Sequence, residues 1–370
     1  MTASRTADVV VVGGGIVGVS TAYFLGDAGL KTLIVERDSI GSHASGFAYG
    51  GLSSLAGPGP TEALATEGMQ IHRELAQSLP EQTGTNTEFR YRPSLALALS
   101  EEDVEAARDG LAWRRAQKGY KVRWVEPGEV QSIEPRVTGQ TFGGMYVEGG
   151  ADLEPYRLML ALTQAAEQKG ATVVGGRVTG LRRDNDRVTG VTLENGDVAA
   201  EHVVLAMGPW AEAASPWLGW TVPIRPLKGQ ILRLRAPGPP IRCSIGWDGH
   251  YAVTKPDGLV WTGTTEEEVG FDERPTGDAR DQITRSFLQV LPSLGDAELV
   301  RQTACLRPIT PDRQPLLGKA PDLEGVYIAT GGGRSGILLG PAMGRVIADL
   351  ITQGEPSIPI DALDTRRFSV

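Results

Sequence analysis

Cysteine and histidine are both scarce in this 370-residue chain, which has two cysteines, Cys243 and Cys305, and four histidines, His43, His72, His202 and His250. The cysteines lie far apart and in no Cys-x-x-Cys pair. That argues against a disulfide scaffold and suits a reduced, cytoplasmic protein with buried thiols. The histidines show no metal-ligand spacing, so no metal is expected. No apolar run approaches the eighteen or more residues of a membrane span, and no signal peptide precedes the first motif. Nor does one sign of charge dominate. The net charge of -9 comes from interspersed acids and bases, which disfavours a nucleic-acid or anionic-membrane surface. With 41% apolar and 22% charged residues, the composition is that of a soluble globular protein. The length exceeds what one core usually serves, so two connected domains are expected.

Glycine, by contrast, is plentiful, and its placement is informative. Val9 to Val12 is a β-branched run that reads as a buried strand. Gly13-Gly14-Gly15-Ile16-Val17-Gly18 follows, and Val19 to Leu25 continues with helical periodicity. Gly29 ends the helix, and Thr32 to Val35 reads as a second buried strand that ends at Glu36. In Gly-x-Gly-x-x-Gly, Gly13 permits a tight turn, Gly15 lets the backbone approach a pyrophosphate, and Gly18 allows close packing of helix on strand. The helix dipole favours the phosphates. Glu36 fits a carboxylate that accepts from ribose hydroxyls and argues against a 2′-phosphate. Strand, turn, helix and terminal acid together point to a dinucleotide site but leave NAD and FAD open.

Residues 39–60 read as a long functional loop with a short helix. Helices are expected over Glu62 to Leu79, Glu101 to Lys118, Pro155 to Lys169, Asp278 to Leu291 and Pro341 to Ile351. Strands are expected over Tyr91 to Leu99, Thr172 to Val174, Val178 to Arg182, Val188 to Leu193 and His202 to Leu205, the last running on to Gly208. Further strands are expected over Thr221 to Leu234, His250 to Val253, Leu259 to Thr264 and Val326 to Ala329. The final strand enters Gly331-Gly332-Gly333, so strand, glycine turn and helix recur at both ends of the chain. The fold class is therefore α/β with an inserted α+β part. A discontinuous dinucleotide domain (1–80, 145–215 and 320–370) would enclose a mostly antiparallel substrate domain (81–144 and 216–319). Trp210, Trp217, Trp220, Trp247 and Trp261 read as core and domain-contact residues. Lys228, in Pro-Leu-Lys-Gly-Gln, reads at least equally well as a solvated strand lysine and as a flavin-side cation.

Four segments resemble the D-amino-acid oxidase superfamily, in particular its glycine oxidase and sarcosine oxidase branch. They are the fingerprint with Glu36-Arg37, the loop Ser45 to Leu52, the stretch Tyr251 to Asp272, and Leu306-Arg307-Pro308-Ile309-Thr310-Pro311-Asp312 followed by Gly331 to Leu339. The resemblance implies FAD, held non-covalently because neither cysteine falls on the flavin-bonding position, in a Rossmann-like domain of glutathione-reductase type. It places Ile16 and Val17 at the pyrophosphate turn, Glu36 and Arg37 at the ribose, and Val178 at the adenine. It also places His43, Ala44, Tyr49, Gly50 and Gly51 along the flavin loop. Gly208 counts among the cofactor-binding residues, as do Gly332, Gly333, Arg334, Ser335, Gly336, Ile337 and Leu338 at the isoalloxazine end.

Three positions match substrate contacts: Arg307 for the carboxylate, Tyr251 for a phenol beside it, and Arg334 near flavin and substrate. An amino acid presents a planar carboxylate, and a guanidinium is the planar fork that binds it bidentately. Without the resemblance, Arg307 would read as a structural partner of Asp312. The implied activity is oxidation of a small amino acid or secondary amine, with oxygen or another electron acceptor. Alternatives are a dehydrogenase that passes electrons to a quinone or protein carrier, a 2-hydroxyacid oxidoreductase with His43 or His250 as base, and a non-catalytic flavin-binding assembly protein. The oligomeric state stays open, a homo-oligomer included.

Overall fold

The computed structural model describes residues 5–368. At its centre is a six-stranded sheet in the order Thr172–Gly175, Thr32–Glu36, Val9–Val12, His202–Leu205, Val326–Thr330, Leu316–Lys319. Every pairing is parallel except the last. Val9–Val12 is buried throughout, as an all-valine strand covered on both faces should be. Val9 and Val11 face the helices Ile16–Asp27, Glu62–Thr83, Pro155–Gln168 and Gly336–Thr352. Val10 and Val12 face a four-stranded sheet that includes Val178–Asp184 and Arg187–Leu193.

The second large sheet has eight strands: Glu298–Ile309, Arg225–Arg235, Val260–Gly263, His250–Thr254, Ser244–Trp247, Ser94–Ala98, Gly143–Glu148 and Lys121–Val125. All neighbours are antiparallel except Ser244–Trp247 with Ser94–Ala98. Strand alternation divides its side chains between two faces. Leu232, Trp247, Ala252 and Val260 pack with Ile283 and Phe287 of the helix Gly277–Val290. Ile231, Tyr251, Val253 and Trp261 pack toward Tyr49. A parallel sheet joined to an antiparallel one is the fold class read from the sequence.

Some elements differ from that reading. The 91–99 strand is two strands, because Pro93 has no N–H to continue a ladder. Arg90–Tyr91 joins a three-stranded sheet, and Ser94–Ala98 joins the eight-stranded one. The 101–118 helix breaks at Gly110 into Glu101–Asp109 and Leu111–Ala116. Strands Lys121–Val125, Ser244–Trp247, Glu298–Ile309 and Leu316–Lys319 escaped notice in the sequence. Lys228 is not solvated. Its side chain is 1% exposed, with Nζ 3.8 Å from Glu267 Oε2. Gly333–Thr352 is also longer and more apolar than expected. With 20 residues and mean hydropathy 1.2 it could cross a membrane by length and composition, yet 72% of that window is buried within the protein.

The last helix starts at Gly336, five residues before Pro341, where the sequence had placed its N-terminus. Proline inside a helix leaves the carbonyl four residues back without its N–H partner. That carbonyl belongs to Ile337, and His72 Nε2 donates to it at 2.8 Å. Gly68, one turn before His72, makes the approach feasible, since a Cβ there would sit 2.3 Å from Leu338 O. Burial drives the His72 imidazole down to about 4. The unfolded chain therefore binds a proton between about pH 6.5 and 4 that the folded chain refuses. This contribution to stability is complete above pH 6.5 and is lost as pH falls toward 4. Urea unfolding at pH 5 and 7.5 should show His72 contributing about 2 kcal/mol of the difference. The His72→Gln variant should lose that part of the slope, and an unchanged slope would contradict it.

Candidate active site

Between the two large sheets lies a cavity of about 880 Å³, lined by residues of both. Two helices open onto it. Gly15 and Ser335 are the N-caps of Ile16–Asp27 and Gly336–Thr352, and neither helix has a side-chain cap. Gly13, Gly15, Ile16 and Val17 line the cavity from one helix start, and Gly332, Gly333, Gly336 and Ile337 from the other. N-termini that lack a cap from their own N-cap residue present N–H groups and a positive dipole end to anions. Ser45 Oγ takes the Ile16 N–H at 3.0 Å. The two helices cross tightly at glycines: a Cβ on Gly340 would lie 2.7 Å from the Ile16 side chain, and one on Gly344 would lie 2.6 Å from Ser20 Cβ.

Glu36, Arg37, His43, Ala44, Tyr49, Val178 and Gly208 also line the cavity. Glu36 already accepts from two backbone amides, Gly14 N at 2.6 Å and Asp38 N at 2.8 Å. Carboxylate oxygens keep further lone pairs for a ribose. Arg37 lies 4.0 Å over the Trp210 ring. His43 is bonded by Asp38 at 2.9 Å and by Glu273 at 3.0 Å. Trp210 and Trp217, two of the five tryptophans expected in the core, line the cavity, Trp217 also packing against the core beneath it. Trp247 and Trp261 are buried as expected.

Five of the expected cofactor residues do not line the cavity. A Cβ on Gly18 would lie 2.0 Å from Gly13 O, so its role is close packing of helix on strand. Gly50 has φ of +80° and packs on Leu153 O, and Gly51 lies in a short strand paired with Asp152. Ser335 is exposed, and Leu338 is buried in the core.

On the antiparallel sheet the cavity meets Arg307, Tyr251, Thr264, Ile231, Thr303 and Cys305. Arg307 Nη1 donates to Thr265 O at 3.0 Å and Nη2 to Thr264 Oγ1 at 2.7 Å. Both acceptors are neutral. Among the described residues Arg307 has no ion pair, and Asp312, its expected structural partner, pairs instead with Arg367 at 2.9 Å. Burial lowers the Arg307 pKa, but a guanidinium starts so high that it stays cationic. Tyr251 stacks on Tyr49 with ring centroids 4.3 Å apart. Burial raises both phenols, Tyr49 to about 12, so both remain protonated donors at neutral pH. Arg334 is differently placed. Its Nη2 donates to Gly249 O at 2.6 Å, and its Nη1 lies 3.4 Å from Glu266, a carboxylate that Arg313 also pairs at 3.1 Å.

Neither histidine proposed as a base joins Arg307. His43 is held between its two carboxylates near Trp210. His250 borders the cavity, but its ring stacks on Trp247, whose indole donates to Ser286 of the helix Gly277–Val290. Sequence reading missed Gly14, Ser45, Gly229, Ile231, Thr264 and Cys305. Their one signal was proximity to positions already singled out, such as Gly229 beside Lys228.

The family model for FAD-dependent oxidoreductases designated DAO matches residues 8–350. The chain belongs to the DAO family of FAD-dependent oxidoreductases. A glycine oxidase of Pseudomonas aeruginosa is 32% identical over 356 residues, covering 95% of this chain and 96% of that protein. The crystal structure of glycine oxidase from Geobacillus kaustophilus superposes with a TM-score of 0.94 at 29% identity, covering 98% and 99% of the two chains. That of iminodiacetate oxidase from Chelativorans sp. BNC1 does so at 0.89 and 26% identity, covering 96% and 98%. This family member is thus an FAD-dependent enzyme that oxidises amino-acid or amine donors. The paired helix N-termini and a glycine-lined cavity of this size fit that cofactor.

Proposed function

We propose that the enzyme oxidises a small α-amino monocarboxylate, such as glycine, sarcosine, a small D-amino acid or a proline-like imino acid. The observation that carries this reading is Arg307, a half-buried guanidinium on the cavity wall that, among the described residues, donates to two neutral acceptors and has no ion pair. A half-buried cation with no direct ion pair favours a ligand that brings a counter-charge. Arg334 shares Glu266 with Arg313, so Arg307, with no ion pair of its own among the described residues, is the wall cation best placed for a substrate carboxylate. Tyr251 adds a neutral donor, and Tyr49, stacked on it, lines the same cavity. Gly13 to Val17, Glu36, Val178, Gly208 and the Gly332 to Ile337 segment hold the cofactor across residues 1–80, 145–215 and 320–370. Residues 81–144 and 216–319 supply the substrate side.

When bound, FAD supplies the two-electron acceptor for the hydride that leaves the amine-bearing carbon, and the resulting imine hydrolyses. The protein's part is to fix the carboxylate, aim the α-hydrogen and exclude water. The substrate amine must be neutral for the hydride to leave, and no protein base near Arg307 is needed for that. Two free thiols suit a reduced, cytoplasmic setting.

An anaerobic flavin-bleaching screen tests the proposal, using glycine, sarcosine, D- and L-proline, D-alanine, other amino acids and 2-hydroxyacids. Bleaching by an amino monocarboxylate is expected, at a rate that rises with pH as the substrate amine loses its proton. Bleaching by 2-hydroxyacids alone, or a flat profile across the amine titration, would overturn it. Readmitted air then separates the two acceptors: fast recolouring marks an oxidase, slow recolouring a dehydrogenase.

A further inference from the structure

We infer that Gly229 is a positioning residue for carboxylate recognition: its missing side chain lets the Arg307 guanidinium lie against the sheet, where Thr264 and Thr265 hold it. This rests on the reading of Arg307 as the carboxylate clamp.

In the ladder between Arg225–Arg235 and Glu298–Ile309, Arg307 stands opposite Leu227, and Gly229 opposite Cys305. Arg307 therefore reaches its diagonal neighbour on the same face. A Cβ built on Gly229 would lie 2.0 Å from Arg307 Nη2, 2.2 Å from Cζ and 2.3 Å from Nη1. It would strike the middle of the guanidinium, so the group can occupy this place only over glycine. Two of the five N–H donors are spent on Thr264 Oγ1 and Thr265 O, which leaves three for a ligand.

The acceptors are themselves held. Gln230 N donates to Thr265 Oγ1 at 3.0 Å, and the Thr265 hydroxyl donates to Glu267. Glu267 is held by Gln230 Nε2 and by buried Lys228. Three consecutive residues thus divide one task. Lys228 and Gln230 anchor the acceptor segment, and Gly229 leaves the floor flat.

Gly229→Ala is an informative change because its methyl meets the far end of a side chain rather than backbone. The guanidinium gives way by on the order of 1 Å, enough to spoil its two hydrogen bonds and its aim. In the holoenzyme, Gly229→Ala should raise the acetate Kd, read from the flavin absorbance, and the substrate KM by roughly 10- to 100-fold. FAD content and Tm should stay as in the parent. In an Arg307→Ala background, Gly229→Ala should add nothing, because the group it displaces is gone. Thr264→Val removes the Nη2 acceptor and should act in the same direction, which keeps the test open if Gly229→Ala misfolds.

An unchanged acetate Kd in Gly229→Ala, or equal losses in both backgrounds, would overturn the inference. If Arg307→Ala alone leaves acetate binding intact, the clamp reading itself fails and this inference falls with it. That signature differs from failure of Gly229 alone, in which Arg307→Ala weakens acetate and Gly229→Ala does not.

Discussion

Arg307→Leu is expected to weaken substrate binding by about 2–5 kcal/mol, or roughly 30- to several-thousand-fold in kcat/KM. The substitution removes the charge that faces the carboxylate. It also strips Thr264 Oγ1 and Thr265 O of the donors they now receive. Leucine offers neither site a partner, and a carboxylate moved into the cavity would lose its water without compensation. FAD should stay bound, because Arg307 lies on the antiparallel sheet and not at the glycine turns. Steady-state kinetics and the bound-flavin ratio of the purified variant would check both halves. Unchanged affinity with full flavin would mean that the carboxylate is held elsewhere.

The second large effect is expected at Gly18. Its absent Cβ would lie 2.0 Å from Gly13 O and 3.1 Å from Val11 Cγ1. Backbone cannot swing aside as a side-chain terminus can, so Gly18→Ala must lift the helix Ile16–Asp27 off its strand. That should cost about 1–3 kcal/mol of stability and move the N–H groups that face the cavity. The purified variant should carry at least roughly 10-fold less FAD, since a misplacement of about 1 Å has effects of that order. Gly15→Ala should be milder in packing, because its Cβ would meet only Ser45 Oγ at 3.2 Å. A Gly18→Ala protein with full flavin and parental Tm would refute the argument.

The nucleotide side of this molecule was legible because its signals are local. Four valines, three spaced glycines and an acid at the next strand end all fall within thirty residues of sequence. The substrate side was less so. Arg307 was found by resemblance, while its strand Glu298–Ile309 went unread. That strand begins with four exposed residues and carries Pro308 next to its last position, so neither alternation nor propensity marks it. Gly229 was invisible for a related reason: what it must accommodate is a side chain from a strand far along the chain. Lys228 looked solvated because Glu267, the acid that makes its burial tolerable, comes from a separate segment. His43 was placed in the flavin loop, yet one of its two partners is Glu273, 230 positions away. Local patterns show which element forms, but they do not report which distant group completes its hydrogen bonds.

The contact between His72 and Ile337 joins residues 265 positions apart, and it makes His72 and Pro341 a single heritable unit. A lineage that loses the imidazole while keeping the proline strands a carbonyl in the core. One that trades the proline for alanine restores the helical donor, and the histidine becomes dispensable. The cost of a change at either position therefore depends on the other, and losing the proline first keeps the carbonyl paired at every step.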